Sequence, residues 1–269
     1  MPRKRKQQQG IQSIEIGGRV LQALAKARGP QMLRDLAAAA QMPPAKAHRY
    51  LVSLARMGLV EQQADTGLYD LGSFALELGL SALARLDPLS IASATLVELR
   101  RDIGQTVALA VWANQGPTIV RWLGADAPVA ASLRVGSVLP LTRSATGNAF
   151  LAFLPWQTVL PWVRRELADN ARQGLAPRTE QEVEAVIARV RRQGFARTSE
   201  FIPGIGGMAA PVLDHSGSMA LALIALGYSR PFEEDFSRIS AAVLQVAARL
   251  SERLGAGKST LRRALADAP

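Results

Sequence analysis

From Pro43 to Val60 the chain reads PPAKAHRYLVSLARMGLV, and no other stretch limits the N-terminal fold as tightly. With Ala47 at the centre of a helical face, a 3.6-residue period puts Tyr50, Leu51, Leu54 and Met57 on the same side. Ala45, Arg49 and Arg56 point the opposite way, flanked by Lys46 and His48. Two prolines suit a first turn, where a missing N–H has no helical partner and φ is already set. Gly58 suits the C′ position that ends such a helix. The product is a short helix with one apolar seam and a small, basic outer surface. Small residues allow close approach to a duplex, and cations meet phosphates and base edges. A solvated basic surface helix has the same pattern, so the neighbouring elements decide.

Those neighbours form an ordered set. Ile16, Val20, Leu21 and Leu24 recur at helical spacing, with Ser13 as the expected N-cap and Gly29-Pro30 as the stop. A second helix is expected from about Met32 to Ala40, packing through Leu33, Leu36 and Ala37, with a turn at Gln41-Met42. After Gly58, LVEQQ and LYDL read as two strands joined by Ala64-Asp65-Thr66-Gly67. Two helices, a basic helix and a hairpin in this order predict a winged helix-turn-helix over residues 11–72. Residues 1–10 carry Arg3, Lys4, Arg5 and Lys6 and nothing that can pack. They read as a disordered arm, either a solvating tail or a phosphate and minor-groove contact.

Leu71 to Leu86 is apolar but for Glu77 and Arg85. It predicts a linker helix, residues 73–88, that pairs the DNA-binding halves of two chains. Asp87-Pro88 then breaks the chain, and a second domain is expected over 89–255. There the pattern gives a helix from Leu89 to Ile103 and strands over Thr106–Trp112, Thr118–Leu123 and Pro128–Val135. A polar loop then runs into an apolar helix (Leu141–Leu154), and helices follow over Trp156–Leu167 and Glu180–Gln193. A long hairpin, Met208–Asp214 with Ser218–Tyr228, and a final helix, Phe232–Leu254, complete it. Runs of strands flanked by helices predict an α+β domain with a mainly antiparallel sheet. Residues 256–269 read as a flexible tail.

Composition narrows the function. The 269 residues suit two domains, and 48% hydrophobic with 20% charged residues describes a folded protein. A net charge of +10, with a pI near 10.9, favours an anionic partner, nucleic acid first. There is no cysteine, which excludes disulfides, thiolate catalysis and Cys-based zinc sites. No apolar run approaches the ~18 residues of a membrane span, and no signal peptide is evident. A cytoplasmic protein without membrane partners is expected.

Four segments together resemble the IclR family of bacterial transcription regulators: QSIEIGGRVLQAL, AHRYLVSLARMGLVE with GLYDLG, LTRSATGNAFLA, and GIGGMAAPVLDHSG. The resemblance implies a winged helix-turn-helix joined to a GAF-like effector-binding domain. It also implies a dimer or dimer of dimers and control of a catabolic operon. Two positions depart from the family pattern. Ala45-Lys46 stands where many members have Ser-Thr, so half-site specificity does not transfer. Ala220 to Leu226 is apolar where some members place serine hydroxyls, which implies a greasier pocket.

For DNA, the expected contacts are Ala45, Lys46, His48, Arg49 and Arg56, with Arg3, Lys4, Arg5 and Lys6 from the arm. Arg49 has a competing role, bracing the helix against an acid such as Glu61. For a small organic acid, plausibly aromatic, the Ser/Thr-rich loop Thr142 to Gly147 offers hydroxyls and a helix N-terminus. Its members are Thr142, Arg143 as counter-ion, Ser144, Thr146 and Gly147. Plain N-capping by Ser144 or Thr142 explains the same residues. Trp112 and Trp122 could wall a ring or simply pack. Gly206 and Gly207 allow close approach of backbone or ligand. Met208, Ile224 and Leu226 complete the expected effector set.

No cofactor, metal site or catalytic residue is expected. Gly204 to Ala209 matches G-x-G-x-x-A but leads into a strand, and Gly257-Lys258-Ser259 lacks the leading glycine of a P-loop. His48 and His215 fall in different domains, and Asp214-His215 sits in a predicted turn. The alternatives are a signalling enzyme with a nucleic-acid-binding appendage, or a non-specific architectural DNA binder.

Overall fold

The computed structural model describes residues 10–257 apart from 28, 127–132 and 178, with side chains at all of these positions except 199 and 200. The basic arm residues Arg3 to Lys6, most of the expected strand Pro128–Val135, and Lys258-Ser259 with nearly all of the tail lie outside the described residues. The chain divides into two units, Met1–Leu86 and Asp87–Pro269.

The first unit is α1 (Gln12–Lys26), α2 (Leu33–Ala39), α3 (Pro44–Arg56), β1 (Val60–Gln62), β2 (Tyr69–Leu71) and α4 (Ser73–Ala84). Val20 and Leu24 of α1, Leu36 of α2 with the adjoining Ala40, and Leu51 and Leu54 of α3 meet in one core. Val60 and Tyr69 of the hairpin close it. The seam along α3 is therefore real: Ala47 and Leu51 are fully buried. Met57 is the exception, 58% exposed, because it caps the helix beyond the last turn that touches the core. Ser13 is also not the cap of α1. The helix starts earlier, with the Ile11 carbonyl accepting from Ile14 and Glu15 and no capping side chain. Gly58 follows the C-cap of α3 at φ +72°, a conformation open to glycine at little cost.

β1 and β2 pair antiparallel. A third edge comes from Gln31, whose N–H and carbonyl both bond Tyr69 at 2.9 Å. The loop before α2 thus anchors the hairpin to the helices, a contact with no local sequence signal. α4 buries none of its residues.

The second unit contains α5 (Pro88–Ile103), β3 (Thr106–Ala113), β4 (Gly116–Leu123), α6 (Ala145–Phe153), α7 (Trp156–Gln173) and α8 (Glu180–Gln193). After these come β5 (Ala196–Ile202), β6 (Ile205–Leu213), β7 (Met219–Tyr228), α9 (Ser229–Glu234) and α10 (Phe236–Arg253). The five strands form one antiparallel sheet in the order β4-β3-β7-β6-β5. Alternation assigns the faces. Ala108 and Ala110 of β3, Ala209 of β6, and Ala222, Ile224 and Leu226 of β7 join the core beneath α6, α7 and α8. α5 and α10 cover the other face.

α6 is buried on every side, which its sequence ATGNAFLAF permits because it carries no charge. Three sequence expectations change here. β5 was not anticipated, since an edge strand reading ARTSEFI carries little apolar alternation. Residues 133–135 form no strand; instead Gly136 donates to the Ile119 carbonyl, and Ile119 and Leu139 donate to those of Ser137 and Pro117. The final helix is two, α9 and α10, meeting at Asp235.

Candidate functional site

Ala45, Lys46, His48, Arg49 and Arg56 are all exposed on α3, on the side away from the core. Arg49 forms no ion pair among the described residues, so the competing role, a brace to an acid such as Glu61, is not formed. His48 has a structural partner: its Nδ1 lies 3.3 Å from the Tyr69 hydroxyl, and Tyr69 is 5% exposed. When that hydroxyl donates, Nδ1 accepts and Nε2 carries the proton. His48 therefore ties the helix to the hairpin.

In the second unit an apolar recess with about 50 Å³ of free volume opens between the sheet and the start of α6, smaller than a typical small-molecule site. Its sheet side is Ile119 of β4, Gly207 and Met208 of β6, and Ile224 and Leu226 of β7. Register brings these together: Leu226 lies opposite Gly207, and Ile224 opposite Ala209. Thr198, Phe201 and Ile202 of β5 with Ile205 close one side, and Leu133 and Leu139 another. Ser144, Ala145 and Thr146 form the roof. Among the described residues no charged side chain lines it.

Ser144 is the N-cap of α6: its Oγ accepts from Gly147 N–H at 2.8 Å and donates to the Pro140 carbonyl at 2.6 Å. The capping reading is thus correct for Ser144, and its hydroxyl proton is committed to the backbone. The N–H groups of Ala145 and Thr146, the first two of the helix, have no partner among the described residues. Such orphan donors at a helix start carry partial positive charge. The Thr146 hydroxyl is likewise without a partner among the described residues, though Thr146 is only 3% exposed.

Of the expected effector residues, Ser144, Thr146, Gly207, Met208, Ile224 and Leu226 line this cavity, and the others do not. Thr142 is turned toward α7, where Glu166 accepts from the N–H groups of Leu141 (2.7 Å) and Thr142 (2.8 Å) and from the Thr142 hydroxyl (2.9 Å). Asn170 adds a bond to that hydroxyl. Arg143 lines a separate polar cleft. Trp112 packs against Phe150 and, edge-on, against Trp162, and Trp122 packs on the same core. Gly147 lies against the carbonyls of Pro140 and Leu141, and Gly206 faces Phe232 across the other side of the sheet. Asp214 holds its own turn by accepting from Ser216 and Ser218. The lining residues of β4 and β5 escaped sequence reasoning because nothing local marks which edge strand a distant loop will roof.

A helix-turn-helix head with a bare cationic helix, followed by a sheet domain enclosing an apolar cavity, defines a DNA-binding transcription regulator with an effector domain. The IclR helix-turn-helix domain pattern matches residues 13–64. That of the bacterial transcriptional regulator IclR C-terminal domain matches residues 80–252. The chain belongs to the IclR family of bacterial transcriptional regulators. It is 31% identical over 258 residues to the glycerol operon regulatory protein of Streptomyces griseus, covering 92% of this chain and 98% of that one. It is 26% identical over 249 residues to the transcriptional repressor IclR of Escherichia coli, covering 91% and 90%. The crystal structure of Pseudomonas aeruginosa HmgR superposes with a TM-score of 0.82 at 36% identity, covering 91% of this chain and 98% of that one. These relatives are regulators, not enzymes. Among the described residues no single helix is long and apolar enough to cross a membrane.

Proposed function

We propose that this regulator binds the operator of a catabolic operon through α3 and releases or reshapes that contact when a small organic acid enters the cavity under α6. The acid carries a hydrocarbon or aromatic body that widens the recess between Ile119, Phe201, Ile224 and Leu226, and its carboxylate meets the free N–H groups of Ala145 and Thr146. One observation carries this reading: an apolar cavity whose described lining holds no charged side chain has its unpaired donors gathered at a single helix start. Lys46 and Arg49 supply base-edge or phosphate contacts, Arg56 a phosphate contact, and the arm residues Arg3 to Lys6 further phosphate contacts. The ligand acts only through its difference in affinity between the two arrangements of the protein.

The test uses Gly207→Leu. A Cβ at Gly207 meets its neighbours at 3.8 Å, ordinary contact, so a leucine there fills the cavity without backbone strain. A thermal-shift panel of aliphatic and aromatic carboxylic acids should contain at least one that raises the melting temperature of the wild type. Binding at ~100 times Kd adds ~2.7 kcal/mol. The same acid should leave Gly207→Leu unmoved while operator binding by the unliganded variant persists. A panel without effect on the wild type rejects the reading.

Two copies are needed to read a two-fold operator, and α4 is the surface proposed to join them. Leu76 is 65% and Leu80 58% exposed, one turn apart on one face. Full burial of each contributes roughly 1.5–3 kcal/mol. Leu76→Ser with Leu80→Ser should therefore shift the protein toward monomer in light scattering at micromolar concentration. An unchanged mass would place the interface elsewhere.

A further inference from the structure

The segment that roofs the apolar cavity has a second side. Thr142, Arg143 and Asn148 line an open polar cleft, and α8 faces them across it with Glu182, Val186, Arg189 and Gln193. These four recur at intervals of four, three and four, so they form one stripe along the helix. The cleft has charges with unequal fates. Glu182 is committed to the capping box of α8, accepting from Thr179 N–H. Arg197 is committed to Glu233, with its guanidinium 4.0 Å above the Phe236 ring. Arg143, half-buried, and Arg189 form no ion pair or side-chain hydrogen bond among the described residues. A half-buried guanidinium without a protein acceptor keeps its five donors for what enters the cleft.

The loop carrying Arg143 is not free to swing away. Glu166 holds the backbone on its N-terminal side, and the Ser144 cap holds the other. The backbone at Arg143 is therefore set before any ligand arrives, which lowers that part of the ordering cost of binding.

We propose that this cleft is a second ligand site, distinct from the apolar cavity, which takes a small organic dianion with one carboxylate for Arg143 and one for Arg189. Its ligand class differs from that of the cavity, because among its described lining the guanidinium groups of Arg143, Arg189 and Arg197 outnumber the one carboxylate, Glu182. Thr198 and Phe201 line both recesses, so an occupant of either presses on a shared wall. By linkage, any effect of one ligand on the affinity of the other is reciprocal.

The experiment is calorimetric titration of the full chain with malonate, succinate, adipate and phthalate, using acetate and benzoate as single-charge controls. At least one dicarboxylate should bind saturably, one per chain. Arg143→Gln and Arg189→Gln should each weaken it about tenfold or more, as expected when a charge-assisted hydrogen bond is lost. Neither removes a partnered group, so both should melt as the wild type does. Gly207→Leu, which fills the other cavity, should still bind the dicarboxylate saturably and with the same dependence on both arginines, whatever shift in affinity the shared wall transmits, so this result is independent of the effector reading above. The proposal is overturned by the lack of saturation below about 10 mM, by binding indifferent to both arginine variants, or by loss of binding in Gly207→Leu.

Discussion

Replacing Gly147 by alanine is expected to unfold much of the second unit at temperatures the wild type withstands. A Cβ there would overlap the carbonyl oxygens of Pro140 and Leu141 and lie 2.5 Å from the Leu141 Cα. Those atoms are backbone, and they cannot retreat. Glu166 grips the Leu141 and Thr142 N–H groups, and Ser144 bonds the Pro140 carbonyl. Relief therefore breaks either the carboxylate clamp or the cap of a fully buried helix. Overpacking of this kind costs roughly 3 kcal/mol or more, which in a domain of this size lowers Tm by about 10 °C. Circular dichroism melting of Gly147→Ala against Gly207→Ala makes the comparison, since the second Cβ has room. Equal melting of the two variants would mean that the junction before α6 is slack.

Arg49→Ala should produce the largest loss of DNA binding obtainable from one side chain. Arg49 is exposed on the outer face of α3, makes no ion pair among the described residues, and buries nothing, so the variant should fold normally. A base-edge contact is worth ~1–3 kcal/mol of discrimination, on the order of 10- to 100-fold in affinity. Fluorescence anisotropy on the operator and on a scrambled duplex separates the two kinds of contact. A loss confined to the operator marks Arg49 as a base reader. A uniform loss, with the salt slope reduced by about one, marks a phosphate contact and removes it from the specificity argument. Lys46→Ala serves as the neighbouring comparison.

The recognition helix was legible because its information is local. Ala47, Leu51 and Leu54 repeat at the helical period, Pro43-Pro44 and Gly58 mark the ends, and the basic residues occupy what remains. The roles of His48 and Arg143 were not legible in this way. His48 reads as a polar surface residue until β2 folds back and sets the Tyr69 hydroxyl beside it. Arg143 reads as a counter-ion for the cavity only if its loop turns toward the sheet. Glu166, reaching from α7, holds the preceding backbone so that Ser144 and Thr146 face the cavity and Arg143 the cleft. Trp112 reads equally well as a ligand wall, and it is the neighbours Phe150 and Trp162 that assign it to packing.

Periodicity, turn residues and charge were enough to determine the winged head, the break at Asp87-Pro88 and the apolar character of β7. Each of these depends on residues within one or two turns of chain. The cavity was decided by tertiary structure alone, because strand register places Leu226 opposite Gly207 and a carboxylate on another helix orients the roof. Contacts between residues far apart in sequence leave no period to read.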